Sequence, residues 1–476
     1  MRILLMTPPG MYKSKYQRQA FLNFTSPPLG LAYLAAYLRK HGYDTIRIID
    51  SQILQLSMAK YRELLARWHP DFIGIQVLTP NYGQTIKAAD IAKDLDVPCV
   101  ALGGMHATFL PRETLETSKA DLAIRGEGEE TVLEVVSHLE AGKGFENIDG
   151  LIYRDLDGKL QETPNRKPVE NLDSLPFPAR DLLPMDMYKI FGSSLPATTM
   201  ISSRGCPYGC EFCTVTHFYG RRWRTRSPAN VVEEMNLIRE QGYLAVAFVD
   251  DLFAKSPSRV HAICREILKR KLEIYWGVTA RADTLDLKTM NLMRRCGCRM
   301  FFVGVESGDQ AILDSVRKKT TLSSVEKFFL NSKKARIDTI ASIAFGFPGE
   351  TKRSILKTIE WVIRVLDPSL ALFATATPYP GTPFYDKAVS EGWVGTEDFS
   401  KYDLMQPVLK TSDYSPEQLK ELLKFAYRRF YFRTGKALET VIREIRYAME
   451  SYGLKHFLQN SLVWMRGLRF MRQATN

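Results

Sequence analysis

The sequence predicts an α/β protein in three parts: an N-terminal Rossmann-like parallel sheet, a partial (β/α)6 barrel and a helical C-terminal domain. Three observations carry that prediction. Short apolar runs alternate with amphipathic helical patterns along most of the chain, the mark of parallel strands covered by helices. Residues 164–187 interrupt the alternation with Pro164, Pro168, Pro176, Pro178 and Pro184 and no sustained period, which reads as an extended connector. Beyond about residue 386 the strand pattern stops. At 476 residues the chain exceeds one small core, so several domains are expected. The expected division is 1–145, a connector over 146–194, 195–385 and 386–476.

In the first part, Arg2–Met6, Thr45–Ile49, Phe72–Leu78, Val100–Leu102 and Leu122–Ile124 read as strands, with helices at Pro28–His41 and after Glu129. Pro8 ends the first apolar run too early for a signal peptide, so that run is expected to be a buried strand. In the second part the strands are Thr198–Ser202, Ala245–Val249, Tyr275–Thr279, Met300–Val305, Ile340–Gly346 and Ala371–Thr375. Helices are expected at Pro228–Gln241, with Ser227 as N-cap, at Ser258–Arg270 and at Leu287–Cys296. Polar residues close these strands: Asp250-Asp251, Glu306 and Glu350. In such barrels the active residues lie at the C-terminal strand ends. No run of 18 apolar residues appears, so no membrane span is expected.

Chemistry concentrates in Ser203–Cys213, where Cys206, Cys210 and Cys213 have the spacing Cys-x3-Cys-x2-Cys. Three thiolates this close can hold three irons of a [4Fe–4S] cube and leave the fourth open to a small molecule. Gly205 and Gly209 let the loop bend, and Pro207 stiffens it. A zinc knuckle would need a fourth ligand at matching spacing, and only His217 lies near. Seven cysteines in a long chain argue against a disulfide framework. Cys264, Cys296 and Cys298 read as small buried apolar residues.

The run Arg204–Cys213 resembles the cluster loop of the radical S-adenosylmethionine (radical SAM) superfamily, including Phe212 before the last cysteine. That resemblance implies that the open iron chelates SAM and that one electron cleaves SAM to a 5′-deoxyadenosyl radical. It implies cofactor-contact roles for Tyr208 and Phe212 of the loop and for residues at strand ends. Asp251, with Asp250 beside it, is placed for the amino group of SAM, Arg281 for its carboxylate and Glu306 for the ribose hydroxyls. The reductant is expected to be a flavodoxin or ferredoxin. The compartment is expected to be the reducing cytoplasm.

Ser26–Leu31, Gly103–Thr108 and Asp121–Glu129 resemble the cobalamin-binding domain that precedes many radical SAM cores. The Asp-x-His-x-x-Gly signature that gives cobalt a histidine is absent. His106 does not match it and is carried as a candidate cofactor contact or a structural residue. With cobalamin the resemblance implies methylation of an unactivated carbon; without methyl transfer it implies cyclisation, rearrangement or C–C bond formation. A methylthiotransferase-like enzyme would carry a second cysteine set near the N-terminus, where only Cys99 occurs. A non-catalytic corrinoid or SAM sensor is the remaining alternative.

Two basic stretches complete the reading. Tyr219–Ser227 carries four arginines and Trp223, suited to an anion or to packing over the cysteine loop. Residues 421–476 hold eleven Lys and Arg against four Glu, interleaved with aromatics. That mixture fits peripheral contact with an anionic inner membrane face, a core helix with a solvated basic side, or an RNA contact. The expected substrate is a small molecule, with a lipid, isoprenoid or tetrapyrrole as the leading class and nucleic acid set aside.

Overall fold

The structure is a computed structural model that describes residues 1–10, 25–188, 190, 196–411 and 413–433. It is built on two parallel sheets joined by an ordered connector. The first sheet has strands β1 (Ile3–Met6), β2 (Ile46–Ile49), β3 (Phe72–Gln76), β4 (Cys99–Gly103), β5 (Leu122–Ile124), β6 (Leu151–Arg154) and β7 (Leu160–Glu162), in the order 2-1-3-4-5-6-7. β1 to β5 are parallel. Their side chains alternate between two dry layers. Leu5, Phe72, Ala101 and Ile124 pack on one face, under the helices Leu29–Lys40 and Glu129–Glu140. Met6, Ile73, Val100 and Leu102 pack on the other, under Met58–Trp68 and Tyr82–Lys93. A strand buried on both faces must be apolar at every position, which explains why these runs do not alternate with polar residues.

The connector corrects the sequence reading. β6 and β7 lie inside 146–194 and add to the first sheet as antiparallel strands. They are short and half-exposed, so composition alone did not mark them. After them the chain runs to Arg180, which is buried and donates from Nη2 to Glu234 at 2.6 Å and to the carbonyl of Thr199 at 2.8 Å. The prolines therefore mark a strap pinned by a buried ion pair.

The second large sheet has strands β8 (Ala197–Met200), β11 (Ala245–Phe248), β12 (Tyr275–Ala280), β13 (Cys298–Glu306), β14 (Asp338–Phe345) and β15 (Leu370–Thr375), with a small hairpin of β9 (Ser203–Arg204) and β10 (Arg224–Thr225) beside it. The order is 15-14-13-12-11-8, all parallel, and β8 does not pair with β15. This is an open, partial barrel. Ser227 caps Pro228–Glu240 by accepting from the N–H of Asn230, as expected. Phe301, Val303, Val305, Ile343, Phe345 and Phe373 enter the apolar layer between strands and helices.

Beyond the barrel, the helix Pro416–Tyr431 packs Leu419, Leu422, Ala426 and Phe430 onto that layer. The hydroxyls of Tyr427 and Tyr431 donate to the carbonyls of Phe373 and Ala371 at 3.0 and 2.9 Å. These aromatics are core, not an interface with a lipid surface. Most of the basic stretch 421–476 lies outside the described residues. Among the described residues, no helix is long and apolar enough to cross a membrane.

Candidate active site

The C-terminal strand ends of the two sheets face each other across the cysteine loop. Thr214 Oγ1, next to Cys213, lies 3.4 Å from Met105 Sδ, at the start of the short helix Met105–Phe109 after β4. The ring of Phe109 packs against that of Phe218 at 6.5 Å. It also fills the space where a Cβ at Gly381 would sit. Gly381 has φ +79° and follows β15, so a bare α-carbon closes that end of the junction.

The cysteine loop is held from below. Gly205 has φ +82°, and a Cβ there would strike the carbonyl oxygen of Arg222. Its N–H donates to Asp251 Oδ2 at 2.8 Å. Glu211 N–H donates to the carbonyl of Val316, and Cys213 N–H to that of Cys210. The three sulfurs are free; Cys210 is buried, and Cys206 and Cys213 are half-buried. Burial pushes the Cys213 thiol up, with Cys210 and Cys206 adding to the shift. The three therefore share one neighbourhood. Among the described residues no three His, Cys, Asp or Glu side chains converge on a single ion. The thiolates of a cube bind separate irons and need not converge, so the donor set fits a [4Fe–4S] cluster and not a zinc site.

The strand-end residues resolve into distinct partners. Asp250 is buried and accepts from Ser202 N, Ser202 Oγ and Ser203 Oγ at 2.6–2.8 Å, which occupies it structurally. Asp251 is exposed beside the cysteine loop. Arg281 donates from Nε and Nη2 to Asp283 at 2.9–3.0 Å, and Nη2 also reaches the carbonyls of Lys318 and Lys319. Its guanidinium lies 3.7 Å over the ring of Tyr208, so it clamps the cysteine loop. Glu306 sits in the left-handed region at φ +67°, at an irregularity in the β13–β14 register. It accepts from Lys318 Nζ at 2.6 Å. Phe212 packs on Phe347 at 5.3 Å.

Lys318 escaped the sequence reading. It lies in Arg317-Lys318-Lys319, which looks like a solvated charge run. The fold buries it beside Glu306, 6.0 Å from the Phe212 ring. Burial alone would lower its pKa; Glu306 raises it, and the ammonium is retained.

Three arginines of Tyr219–Ser227 pair with carboxylates: Arg224 with Glu127 and Arg226 with Glu234 in buried pairs, and Arg222 with Glu170 at the surface. The fourth, Arg221, lies against Gly209 of the cysteine loop. Trp223 donates to the carbonyl of Leu252 at 2.8 Å. Cys264, Cys296 and Cys298 are buried, as expected.

A cavity of ≈ 190 Å³ opens at the C-terminal ends of the first sheet. Gly30, Gly74, Gly103 and Gly128 leave it open between strands and helices, and Glu127 and Arg204 stand at its mouth. Three stretches singled out in the sequence thus meet here. A glycine-walled slot against a parallel sheet fits the extended tail of a corrinoid. His106 is elsewhere. It is 1% exposed, packed between Tyr82 and Phe399, with Nδ1 3.2 Å from Thr79 Oγ1. The lining of this cavity does not include it.

The barrel has a second face. Along β12 to β15 the side opposite the apolar layer alternates small residues, Gly277, Gly304, Ser342, Ala344 and Ala374, with the larger Tyr275, Phe302 and Leu372, all half-buried. Ionic groups gather at the strand ends above them.

The family model described as the radical SAM superfamily matches residues 200–362, and that of the B12 binding domain matches 21–136. An uncharacterized methyltransferase of Pyrococcus horikoshii is 35% identical over 436 residues, covering 91% of this chain and 93% of that protein. The chain belongs to the radical SAM superfamily. Within it, this enzyme falls among those with a B12-binding domain, and its cofactors are a [4Fe–4S] cluster, SAM and cobalamin. The anaerobic magnesium-protoporphyrin IX monomethyl ester cyclase of Rubrivivax gelatinosus is 29% identical over 415 residues, 85% of this chain and 74% of that one. The solved structure of OxsB, a cobalamin-dependent S-adenosylmethionine radical enzyme with aqua-cobalamin and SAM bound, matches with TM-score 0.74 at 18% identity, over 98% of this chain and 73% of that one. It supports the fold described here.

Proposed function

We propose that this radical SAM enzyme methylates an unactivated carbon of a lipid, isoprenoid or tetrapyrrole-like substrate. The observation that carries the substrate class is the face of the barrel opposite its apolar layer. Small residues alternate there with Phe302 and Leu372, and the charges at the strand ends are already paired as Glu306–Lys318 and Arg281–Asp283, so an uncharged group meets apolar side chains without stranding an ion. The tetrapyrrole relative supports the same class.

In this reading Cys206, Cys210 and Cys213 hold three irons. Asp251 is placed for the amino group of SAM, and Lys318 joins Arg281 as a cation at the rim for its carboxylate. Glu306 keeps the Lys318 ammonium charged and oriented. Tyr208 and Phe212 brace the loop from either side. When bound, the cofactors supply a hydrogen-abstracting radical and a methyl group. Residues 1–145 form the cobalamin domain, to which β6 and β7 are appended; 195–385 form the radical core; of 386–476, the described residues up to 433 buttress it. The enzyme works in a reducing cytoplasm with flavodoxin or ferredoxin as electron donor.

The test is mass spectrometry of lipid and tetrapyrrole extracts from a deletion strain and its parent. A parent compound heavier by one or more methylenes supports the proposal. A compound differing by lost hydrogens supports the second reading, cyclisation without methyl transfer, which the cyclase relative favours. Identical extracts overturn the substrate class.

A further inference from the structure

Four charged side chains are buried where the cavity meets the cysteine loop. Arg204 donates from Nη1 to Glu127 Oε1 at 2.7 Å and from Nη2 to Glu129 Oε1 at 2.5 Å. Arg224 donates to Glu127 Oε2 at 2.8 Å and to Oε1 at 3.0 Å. Each of the four side chains is less than 10% exposed. Two guanidinium groups balance two carboxylates, so the set is neutral only when complete. Displacement of any member leaves a largely buried charge unpaired.

The two ends of this set belong to different sites. Glu127, Glu129 and Arg204 line the ≈ 190 Å³ cavity. Arg204 is also the last residue of β9, followed by Gly205 and Cys206. Gly205 provides no slack: its N–H is fixed by Asp251, and it lies against the carbonyl of Arg222. On the other side, Gly126 N–H donates to Thr108 Oγ1 at 3.0 Å, so the loop that bears Glu127 and leads into the helix at Glu129 is tethered as well. A shift of either carboxylate is passed through the Arg204 fork to the backbone that carries Cys206.

We propose that Arg204 is a positioning residue that couples occupancy of the cavity to seating of the cysteine loop, so that cobalamin and the iron–sulfur cluster bind cooperatively. The proposal rests on the assignment of those two cofactors to these two sites. By linkage, the factor by which the cluster tightens cobalamin binding equals the factor by which cobalamin tightens retention of the cluster. A lysine at 204 keeps the charge but cannot reach both carboxylates with a fixed fork.

The test measures hydroxocobalamin affinity by absorbance for the full chain with and without its reconstituted cluster, and cluster loss to an iron chelator with and without hydroxocobalamin. In the unaltered enzyme the two affinities should differ by on the order of 5- to 150-fold, with cluster retention changing in the same sense. In Arg204→Lys the ratio should fall toward unity while both cofactors still bind. Arg166→Lys is the control: Arg166 pairs with Glu130 and Glu134 on the helix that Glu129 opens, but none of the three lines the cavity, and its ratio should match the unaltered enzyme. Glu129→Gln weakens one arm of the fork and serves if Arg204→Lys does not fold by circular dichroism; an intermediate ratio is expected. A merely structural ion pair would lower the melting temperature of Arg204→Lys and leave the ratio unchanged, which would overturn the proposal. So would an unaltered enzyme that binds both cofactors independently. Failure of the unaltered enzyme to bind one of them would instead overturn the assignment of that site.

Discussion

In the sheet of β1 to β5, both sets of alternating side chains are buried, Leu5 and Ala101 on one face and Met6 and Leu102 on the other. In the barrel sheet only one set is: Phe301, Val303 and Phe345 pack outward, while Gly304, Ala344 and Ala374 stand half-exposed on the opposite face. Both sheets are parallel and both place loops at their C-terminal ends. The first leaves room only where glycines interrupt one layer, giving a slot. In the second, the face opposite the packed layer is half-exposed along β12 to β15, with Phe302 and Leu372 set among the small residues. The first design suits gripping a long flexible appendage, and the second suits admitting a bulky group.

Substitutions sharpen that contrast. The largest effect is expected at the loop between the sheets: Cys210→Ala should abolish the brown absorbance of the cluster and formation of 5′-deoxyadenosine. A variant that still cleaves SAM would refute the cluster assignment. On the open face, Ala374→Leu should cut turnover of a bulky substrate by at least about tenfold, corresponding to ~1.4 kcal/mol. Its melting temperature should stay near that of the parent, because Ala374 is half-exposed; a large loss of stability would mean that this face is packed. In the first sheet Leu102→Ala should do the reverse, costing about 2–5 kcal/mol in chemical denaturation while leaving the cluster spectrum intact.

The smallest effect concerns acid stability. Burial lowers the pKa of His106 from 6.5 to about 4. Its folded pKa lies below its unfolded value, so protonation favours the unfolded chain. The contribution is fully present above about pH 6.5 and is lost as pH falls toward 4, on the order of 3 kcal/mol in all. Melting curves at pH 5.0 and 7.5 should converge in His106→Phe relative to the parent. Equal pH dependence in both would show that His106 is not the group responsible.

Much of this was legible before any coordinates. The dry strands were visible as apolar runs, and the cysteine spacing located the loop. The strand-end rule gathered Asp251, Arg281 and Glu306 at one rim. Other features depended on contacts that sequence does not carry. Lys318 looked solvated because charge runs on a surface and a buried lysine paired with Glu306 have the same local composition. Asp250 and Asp251 are adjacent and identical, yet one is saturated by Ser202 and Ser203 and the other faces the cleft. The strands β6 and β7 were hidden because β6 is four residues long with only Leu151 and Ile152 buried, and β7, at the edge, needs no continuous apolar run. Tyr427 and Tyr431 suggested a lipid surface, whereas their hydroxyls close backbone groups of β15.

The bare α-carbon of Gly381 against the ring of Phe109 works as a gauge. The strand ends of the two sheets come together where a methyl group is missing, so the spacing between the halves of the molecule is fixed by an atom the chain does not have. A single alanine at that position would act as a shim, and whatever passes between the two sites would have farther to travel.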